Sequence, residues 1–150
     1  MTEDQSSDSR GKTILVVDDD PDILKLLKQI LQDDGYTVIA ANNPFRGLQF
    51  AELFREKIDL LLTDVVMPDM DGFALSKNVK MIIPDIKVLF ISGYTAEIIG
   101  KRNNLIEGFN FIRKPFSCDA LCSAVFNNIQ AIQGSAYNSP GESRLEPGGR

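Results

Sequence analysis

The sequence contains no histidine among its 150 residues. Imidazole therefore cannot serve this chain as a general base, a metal ligand or a phosphoryl carrier. A histidine kinase and a phosphotransfer protein of the phosphohistidine type are both excluded on this ground. Any chemistry that the chain carries must use carboxylate, hydroxyl or amine side chains.

Cysteine is scarce as well, and the two thiols, Cys118 and Cys122, lie four residues apart in a helical pattern. The sequence therefore predicts neither a disulfide framework nor a zinc site, and a reducing cytoplasm fits best. No apolar run reaches the roughly 18 residues that a membrane span needs. The N-terminus is polar and begins acidic, the reverse of a signal peptide, so we expect no membrane association.

Positive charge is in the minority, because 16 lysines and arginines face 21 acidic residues and leave a net charge of −5. This balance argues against a nucleic-acid-binding surface. A content of 43% hydrophobic and 25% charged residues is typical of a single globular domain. A chain of this length can bury a full apolar core without disulfides or structural metals.

Two polar segments flank a patterned region. Residues 1–12 and 134–150 are predicted to be disordered tails, since the first holds one apolar side chain and the second is rich in glycine, serine and proline. Over 13–133, short apolar runs alternate with helical patterns, which is typical of βαβ units. The predicted fold is α/β, a doubly wound sheet of five parallel strands with five helices. The predicted strands cover 14–17, 36–40, 59–64, 87–92 and 109–113.

The five helices follow from capping residues and apolar faces. Asp20, Asn43 and Ser117 are predicted to cap the first, second and last helix. The predicted helices cover 21–34, 44–57, 72–81, 95–105 and 118–133. The helix over 95–105 is expected to be the weakest, short or mobile, because its glycine and paired asparagines have poor helix propensity.

Charged and hydroxyl side chains follow the predicted strands at their carboxyl ends: Asp18, Asp19, Asp64, Ser92 and Lys114. In an open parallel sheet these ends share the crevice where ligands bind. Taken singly, each residue has an ordinary explanation as a helix cap, a turn residue or a surface lysine. Taken together, three carboxylates would raise one another's pKa unless a cation sits among them, and one lysine cannot neutralise three. Hard oxygen ligands with incomplete protein coordination suit Mg²⁺, so the pattern predicts Mg²⁺-dependent phosphoryl transfer to a carboxylate.

Four strings extend this pattern in order and spacing: ILVVDDDPDIL, DLLLTDVVMPDMDG, VLFISGYT and FIRKPFS. Over nearly all of residues 13–133 they resemble the receiver domain of two-component response regulators, of the chemotaxis-regulator type. The resemblance implies a flavodoxin-like sheet with strand order 2-1-3-4-5. The last two strings also resemble the receivers at the C-terminus of hybrid sensor histidine kinases.

The resemblance further implies roles for the acidic residues. It implies that Asp64 is the phosphoacceptor. It also implies that Mg²⁺ is held by Asp18, Asp19 and Asp64 together with the backbone carbonyl of Val66. An acyl phosphate on Asp64 is then the expected product.

The remaining site residues take their roles from the same resemblance. Ser92 corresponds to the switch hydroxyl, Phe111 to the switch aromatic and Lys114 to the lysine of the catalytic set. The bond between Lys114 and Pro115 is expected to be cis, which only a bond before proline adopts at low cost. The resemblance implies a protein that catalyses only its own phosphorylation and dephosphorylation, and no other enzyme activity.

Partners follow from these roles. The donor would be a sensor histidine kinase, a phosphotransfer protein or a small acyl phosphate, because the chain has no histidine of its own. The phosphoryl group would draw in the Ser92 hydroxyl, let Phe111 turn inward and repack a face formed by the helix over 95–105, the fifth strand and the last helix. The segment after Gln133 is too short for a helix-turn-helix. We therefore expect output through an unidentified protein, or no output at all as in a phosphate sink, and no direct contact with nucleic acid.

A phosphatase of the haloacid-dehalogenase type is the main enzyme alternative. That family has a strand ending in Asp-x-Asp, which residues 18–20 match, and a serine and a lysine on later strands. It also needs a further acidic pair, which is missing after Lys114, and it leaves Asp64 without a role. A third interpretation, a receiver-like interaction module without phosphorylation, is opposed by the complete set of site residues.

Overall fold

Five parallel strands form one sheet: β1 (Thr13–Val17), β2 (Thr37–Ala41), β3 (Ile58–Asp64), β4 (Lys87–Ser92) and β5 (Phe111–Arg113). The computed structural model describes residues 11–93 and 105–134. Every residue of β1 is buried, since the strand has neighbours on both edges and helices on both faces, and this explains its unbroken apolar run. The strand order in the sheet is β2-β1-β3-β4-β5, which confirms the predicted sheet.

The helices of the described residues are α1 (Pro21–Asp33), α2 (Pro44–Leu53), α3 (Gly72–Ile82) and α4 (Cys118–Gly134). Apolar residues of α1 and α4 pack on one face of the sheet, and those of α2 and α3 pack on the other. The sheet is therefore doubly wound, as predicted. The predicted helix over 95–105 and both predicted tails fall mostly or wholly on residues outside the described part.

Side chains at the helix starts explain where the helices begin. The Asp20 carboxylate accepts from the amides of Asp22 and Ile23, and Asn43 accepts from Arg46. Ser117 Oγ accepts from the amide of Ala120 at the start of α4. The three predicted caps are thus present, and each satisfies amides that the first helical turn leaves open.

Two predicted boundaries are wrong by more than one residue, and several others differ by one. The sequence predicts a helix to 57, but α2 ends at Leu53. Ile58 has to reach the sheet beside Thr13, and the turn that takes it there is closed by the amides of Lys57 and Ile58, which both donate to Phe54 O. A tertiary pairing thus overrides a local helical pattern.

The second error concerns β5, which is predicted to start at 109 and starts at Phe111. The amides of Phe109 and Asn110 both donate to the carbonyl of Ile106, at 3.0 and 3.1 Å. These two residues are therefore part of a turn, although their apolar and polar alternation favours a strand. The described residues contain no helix with the length and hydropathy that crossing a membrane requires.

The two cysteines are free thiols on α4 and differ in environment. Cys118 is exposed, whereas burial, followed by the charge and hydrogen bond of Asp34, raises the pKa of Cys122 to about 12. Because the thiolate is the reactive form, we expect a disulfide reagent to modify Cys122 at least about tenfold more slowly than Cys118 near neutral pH. The rates are measured on wild type and on Cys118→Ser, and unfolding in denaturant should make both thiols fast. Equal rates in the folded protein would contradict this.

Candidate functional site

Three acidic residues meet at the carboxyl ends of the central strands. Asp18 and Asp19 directly follow β1, and Asp64 is the last residue of the neighbouring strand β3. One carboxylate oxygen from each residue lies within 4.8 Å of those of the other two. Asp18 and Asp64 are buried, whereas Asp19 is exposed. The structure thus brings together the three carboxylates that the sequence singled out.

Lys114 reaches the same cluster from the end of β5. Its Nζ lies 3.3 Å from Asp18 Oδ2 and donates a hydrogen bond of 3.4 Å to Asp64 Oδ2. Its main-chain amide donates to the carbonyl of Ser92 at 2.8 Å, which fastens the residue to the end of β4. The peptide bond from Lys114 to Pro115 is cis. A single ammonium group therefore lies between two buried carboxylates.

Asp18 has one carboxylate oxygen with a partner and one without. Oδ1 accepts from the amide of Asp20 at 2.9 Å. Oδ2 is buried and, among the described residues, has no hydrogen-bond donor of suitable geometry, although Lys114 Nζ is near it. A buried oxygen of this kind is destabilising unless a cation or donor meets it. The nearby Lys114 ammonium is shared with Asp64, so this cluster of hard oxygen ligands still suits a divalent cation such as Mg²⁺.

The electrostatics of the cluster follow from burial and from crowding of like charge. Burial raises the pKa of Asp18, and burial together with the negative charge of Asp18 raises the pKa of Asp64. Burial alone would lower the pKa of Lys114, but the two carboxylates outweigh it and the pKa is raised. Lys114 therefore remains protonated, and additional positive charge nearby would stabilise the ionised form of the two carboxylates.

Gly72 holds the backbone behind Asp64 in place, and sequence reasoning did not assign it this role. Its amide donates to Val65 O at 2.8 Å, and a methyl group built on it would collide with the carbonyl oxygen of Asp64. Only glycine permits such a close approach of α3 to the end of β3. Asp69, in the loop between them, adopts a left-handed conformation with φ 75°. The Asp-Gly pair at 71–72 is the signal that could have indicated this contact.

The two predicted switch residues are both buried. Ser92 ends β4 opposite Arg113 of β5 and is 1% exposed. Phe111 is fully buried and packs in one cluster with Val65 and Phe90. Its ring already fills the space beside Val65 in this structure, and the expected movement of Phe111 on phosphorylation stays a prediction.

Val66 lies two residues after Asp64, in the loop that leads to α3, and its side chain is half exposed. It does not belong to the apolar cores, in contrast to its buried neighbour Val65. A role for its carbonyl as a metal ligand stays a prediction, which rests on the resemblance and on this position next to Asp64.

Magnesium should stabilise the protein, and more so as the pH rises. Raised folded-state pKa values mean that the folded protein binds protons more tightly than the unfolded chain. The contribution of Asp18 and Asp64 to stability is therefore lost as the pH rises from about their ordinary value of 3.8 through the folded-state values. The cation replaces those protons, so at about 100 times its Kd it should add about 2.7 kcal/mol near neutral pH, and less near pH 4.

Melting temperatures with and without millimolar Mg²⁺ across this pH range measure the effect. Asp18→Asn should be more stable than wild type without metal near neutral pH and should lose the response to Mg²⁺. Asp33→Asn, an exposed position on α1, serves as the control and should behave like wild type. If the melting temperature of the wild type did not change when Mg²⁺ is added, the role assigned to the acidic cluster would be contradicted.

Comparison with known proteins agrees with this geometry. The sequence model described as "Response regulator receiver domain" matches residues 14–126. The sensor kinase CckA of Brucella abortus is 34% identical over 117 residues, which are 78% of this chain and 12% of that protein. The response regulator receiver protein CpdR of the same organism is 35% identical over 105 residues, covering 70% of this chain and 86% of CpdR. The chain thus spans a small part of the kinase and nearly the whole length of CpdR.

A solved structure has the same arrangement of strands and helices. The response regulator protein TrrA of Thermotoga maritima, in complex with Mg²⁺–BeF, superimposes with a TM-score of 0.64 and 30% identity, over 76% of this chain and 96% of that one. The family match covers β1 to α4, and with it the buried acidic cluster and the lysine that reaches it. This chain therefore belongs to the receiver domain family of the two-component response regulators.

Proposed function

We propose that the chain accepts a phosphoryl group on Asp64 from the phosphohistidine of a sensor kinase or phosphotransfer protein, and that residues 13–133 form the receiver domain. The observation that carries this proposal is the position of the Asp64 carboxylate. It is buried at the end of the central strand β3, beside Asp18 Oδ2, which has no hydrogen-bond donor among the described residues, and within 3.4 Å of the Lys114 ammonium. An anionic nucleophile held against positive charge is what phosphoryl transfer needs.

Asp18, Asp19 and Asp64 would hold Mg²⁺, together with the carbonyl of Val66. Three observations support this: their oxygens lie within 4.8 Å of one another, two buried carboxylates share the single Lys114 ammonium, and the similar protein TrrA is described in complex with Mg²⁺–BeF. When bound, the ion neutralises charge on the transferring phosphoryl group. Because Asp19 is the exposed member of the set, it would complete the site from the solvent side.

The chain's own residues would perform the transfer. A carboxylate oxygen of Asp64 attacks phosphorus, the phosphorus–nitrogen bond of the donor breaks, and the electron pair returns to the donor imidazole. The Lys114 ammonium, already paired with Asp64, meets the negative charge of the incoming oxygens. The Ser92 hydroxyl donates a hydrogen bond to one phosphoryl oxygen from the end of the adjacent strand β4.

The signal would leave the site through β4 and β5. The carbonyl of Ser92 accepts from the amide of Lys114, so a shift of Ser92 toward the phosphoryl group acts directly on the end of β5. Phe111, whose ring lies inside, ties the same strand to Phe90 and Val65. We propose that the strand ends move and change a protein-interaction face, with the ring remaining inside.

The chain is a signalling module of the two-component systems. We propose further that it catalyses only its own phosphorylation and dephosphorylation, acts in the cytoplasm, and reaches its output through a protein and not through nucleic acid. Its net charge of −5 supports the last point. The match of the receiver domain family to residues 14–126 argues against the haloacid-dehalogenase interpretation.

Acetyl phosphate with and without Mg²⁺ tests the proposal. We expect mass spectrometry of the full chain to show one added phosphoryl group, only when Mg²⁺ is present, and its slow loss after the donor is removed. Sustained turnover of a simple phosphate ester would instead indicate a phosphatase. A chain that binds beryllofluoride or acetyl phosphate in neither condition would be an interaction module without phosphorylation, and the proposal would fall.

A further inference from the structure

Strand β4 extends beyond β5 at its amino end. The pairing of the two strands begins at Phe90 and Phe111, whereas β4 itself begins at Lys87 and pairs with β3 from that residue onward. On the β5 side, residues 87–89 of β4 thus have no strand beside them within the part of the chain that the structure describes. The sheet has an open edge there, three residues long.

The backbone of Val88 points toward this open edge. The amide of Phe90 donates to the carbonyl of Asn110, so the polar groups of Phe90 face β5. Residues two apart in a strand direct their amide and carbonyl groups to the same side. The N–H and C=O of Val88 are therefore directed at the position where a residue of an additional strand would pair.

The edge is open because the chain turns away before β5. The carbonyl of Ile106 accepts from two successive amides, and Gly108 adopts a φ of +87°, so residues 106–110 form a turn and not a strand extension. A groove with a volume of about 570 Å³ lies between this turn, α3 and the start of β4. Its size is typical of sites that bind a ligand or a short peptide.

The groove has an apolar floor and a basic rim. The rings of Phe73 and Phe90 lie in contact, 4.8 Å apart between centroids, and Phe109 is 44% exposed at the border. Lys77 and Lys80 stand on the exposed side of α3. Lys87 lines the groove at the start of β4, and Asp85 is the acidic residue of the lining. The chain as a whole has a net charge of −5, so this positively charged rim has the opposite sign to the protein's overall charge.

We propose that this groove docks an extended, acidic segment of a partner protein, which adds to the sheet beside residues 87–89. The main-chain groups of Val88 would bind the segment. On the face of the added strand toward α3, an apolar side chain would contact Phe73 and Phe90, and carboxylates two residues to either side would meet Lys77 and Lys80. Sheet edges recruit strands in this way, with backbone hydrogen bonds giving affinity and alternate side chains giving specificity. The basic rim selects an acidic segment over a basic one.

The docking surface does not depend on phosphorylation, so its test is separate from that of the proposed function. The probe is the seven-residue peptide Thr-Glu-Thr-Val-Thr-Glu-Thr, whose central valine and two glutamates share one face of a strand. It is titrated into the isotope-labelled full chain and followed by amide chemical shifts. We expect shifts at residues 86–90 and 109–111, and none at the other edge of the sheet, β2. The same peptide with an N-methyl group on its central valine should bind at least about tenfold more weakly, because it cannot donate to the edge.

Charge reversal provides the matched variants. The double variant Lys77→Glu, Lys80→Glu should weaken binding at least about tenfold. Lys25→Glu, Lys28→Glu reverses an exposed pair with the same spacing on α1 and should leave the affinity unchanged. A peptide with lysine in place of glutamate should not bind.

Three results would overturn the proposal. Equal binding of the acidic and basic peptides would show that the rim has no role. Shifts confined to β2 would place the docking edge elsewhere. Shifts of Val88 and Phe90 that depend on protein concentration without peptide would show that a second copy of the chain fills the groove.

Discussion

Replacing Asp64 with asparagine is expected to abolish phosphoryl uptake from acetyl phosphate completely. The side chain keeps its size, but a neutral amide is a poor nucleophile and no longer attracts the Lys114 ammonium, which lies 3.4 Å from Asp64 Oδ2 in the wild type. Stability should not fall, because the change removes a buried carboxylate whose pKa is raised by burial and by Asp18. Loss of labelling would then be a chemical effect and not a consequence of unfolding.

Mass spectrometry of the intact chain measures this effect, and the melting temperature of the same sample confirms that it is folded. Asp33→Asn, an exposed aspartate on α1, is the matched control and should be labelled as fast as wild type. If the phosphoryl adduct still formed in Asp64→Asn, another residue would be the phosphoacceptor, and the site as described would be refuted.

Gly72→Ala is expected to lower the free energy of unfolding by about 3 kcal/mol, at the upper end of what overpacking usually costs. The added methyl group would collide with the carbonyl oxygen of Asp64 and crowd Val65, and both contacts are with backbone, which cannot move aside as a side chain can. The end of β3 would have to shift, so phosphoryl uptake should slow as well.

Urea unfolding measures the first effect, and the rate of labelling by acetyl phosphate measures the second. Gly93→Ala is the control for stability, because a methyl group there would meet nothing within 4 Å. If Gly72→Ala were as stable as wild type, the close approach of α3 to the end of β3 would not be a constraint.

The architecture could be predicted from the sequence because its signals are local and repeated. Continuous apolar runs such as 14–17 mark strands buried on both faces, and capping residues such as Asp20 and Asn43 mark helix starts. Once the strands are parallel, their carboxyl ends share one edge, and this alone brings Asp18 and Asp64 together. The acidic cluster was therefore predictable without any coordinates.

The parts that could not be predicted depend on contacts between segments distant in the chain. The end of α2 is set by the pairing of Ile58 with Thr13, and the late start of β5 by two amides that bind one carbonyl of Ile106. The inward position of Phe111 depends on space beside Val65 and Phe90, which no local pattern reports. The predicted response of residues 92–106 to phosphorylation falls largely on residues outside the described part and stays a prediction.

Asp18 and Asp19 are neighbours in the chain, yet the first is fully buried and the second is exposed. One side of the acidic cluster is consequently shielded from solvent and the other is open to it. We expect ions, water and phosphoryl donors to approach Asp64 from the side of Asp19, which is in contact with bulk solvent, whereas the buried Asp18 lies in a medium of low dielectric constant. Substitutions at Asp19 should therefore change mainly the rates at which ions and donors bind and leave. Substitutions at Asp18 should change mainly the affinity for the cation.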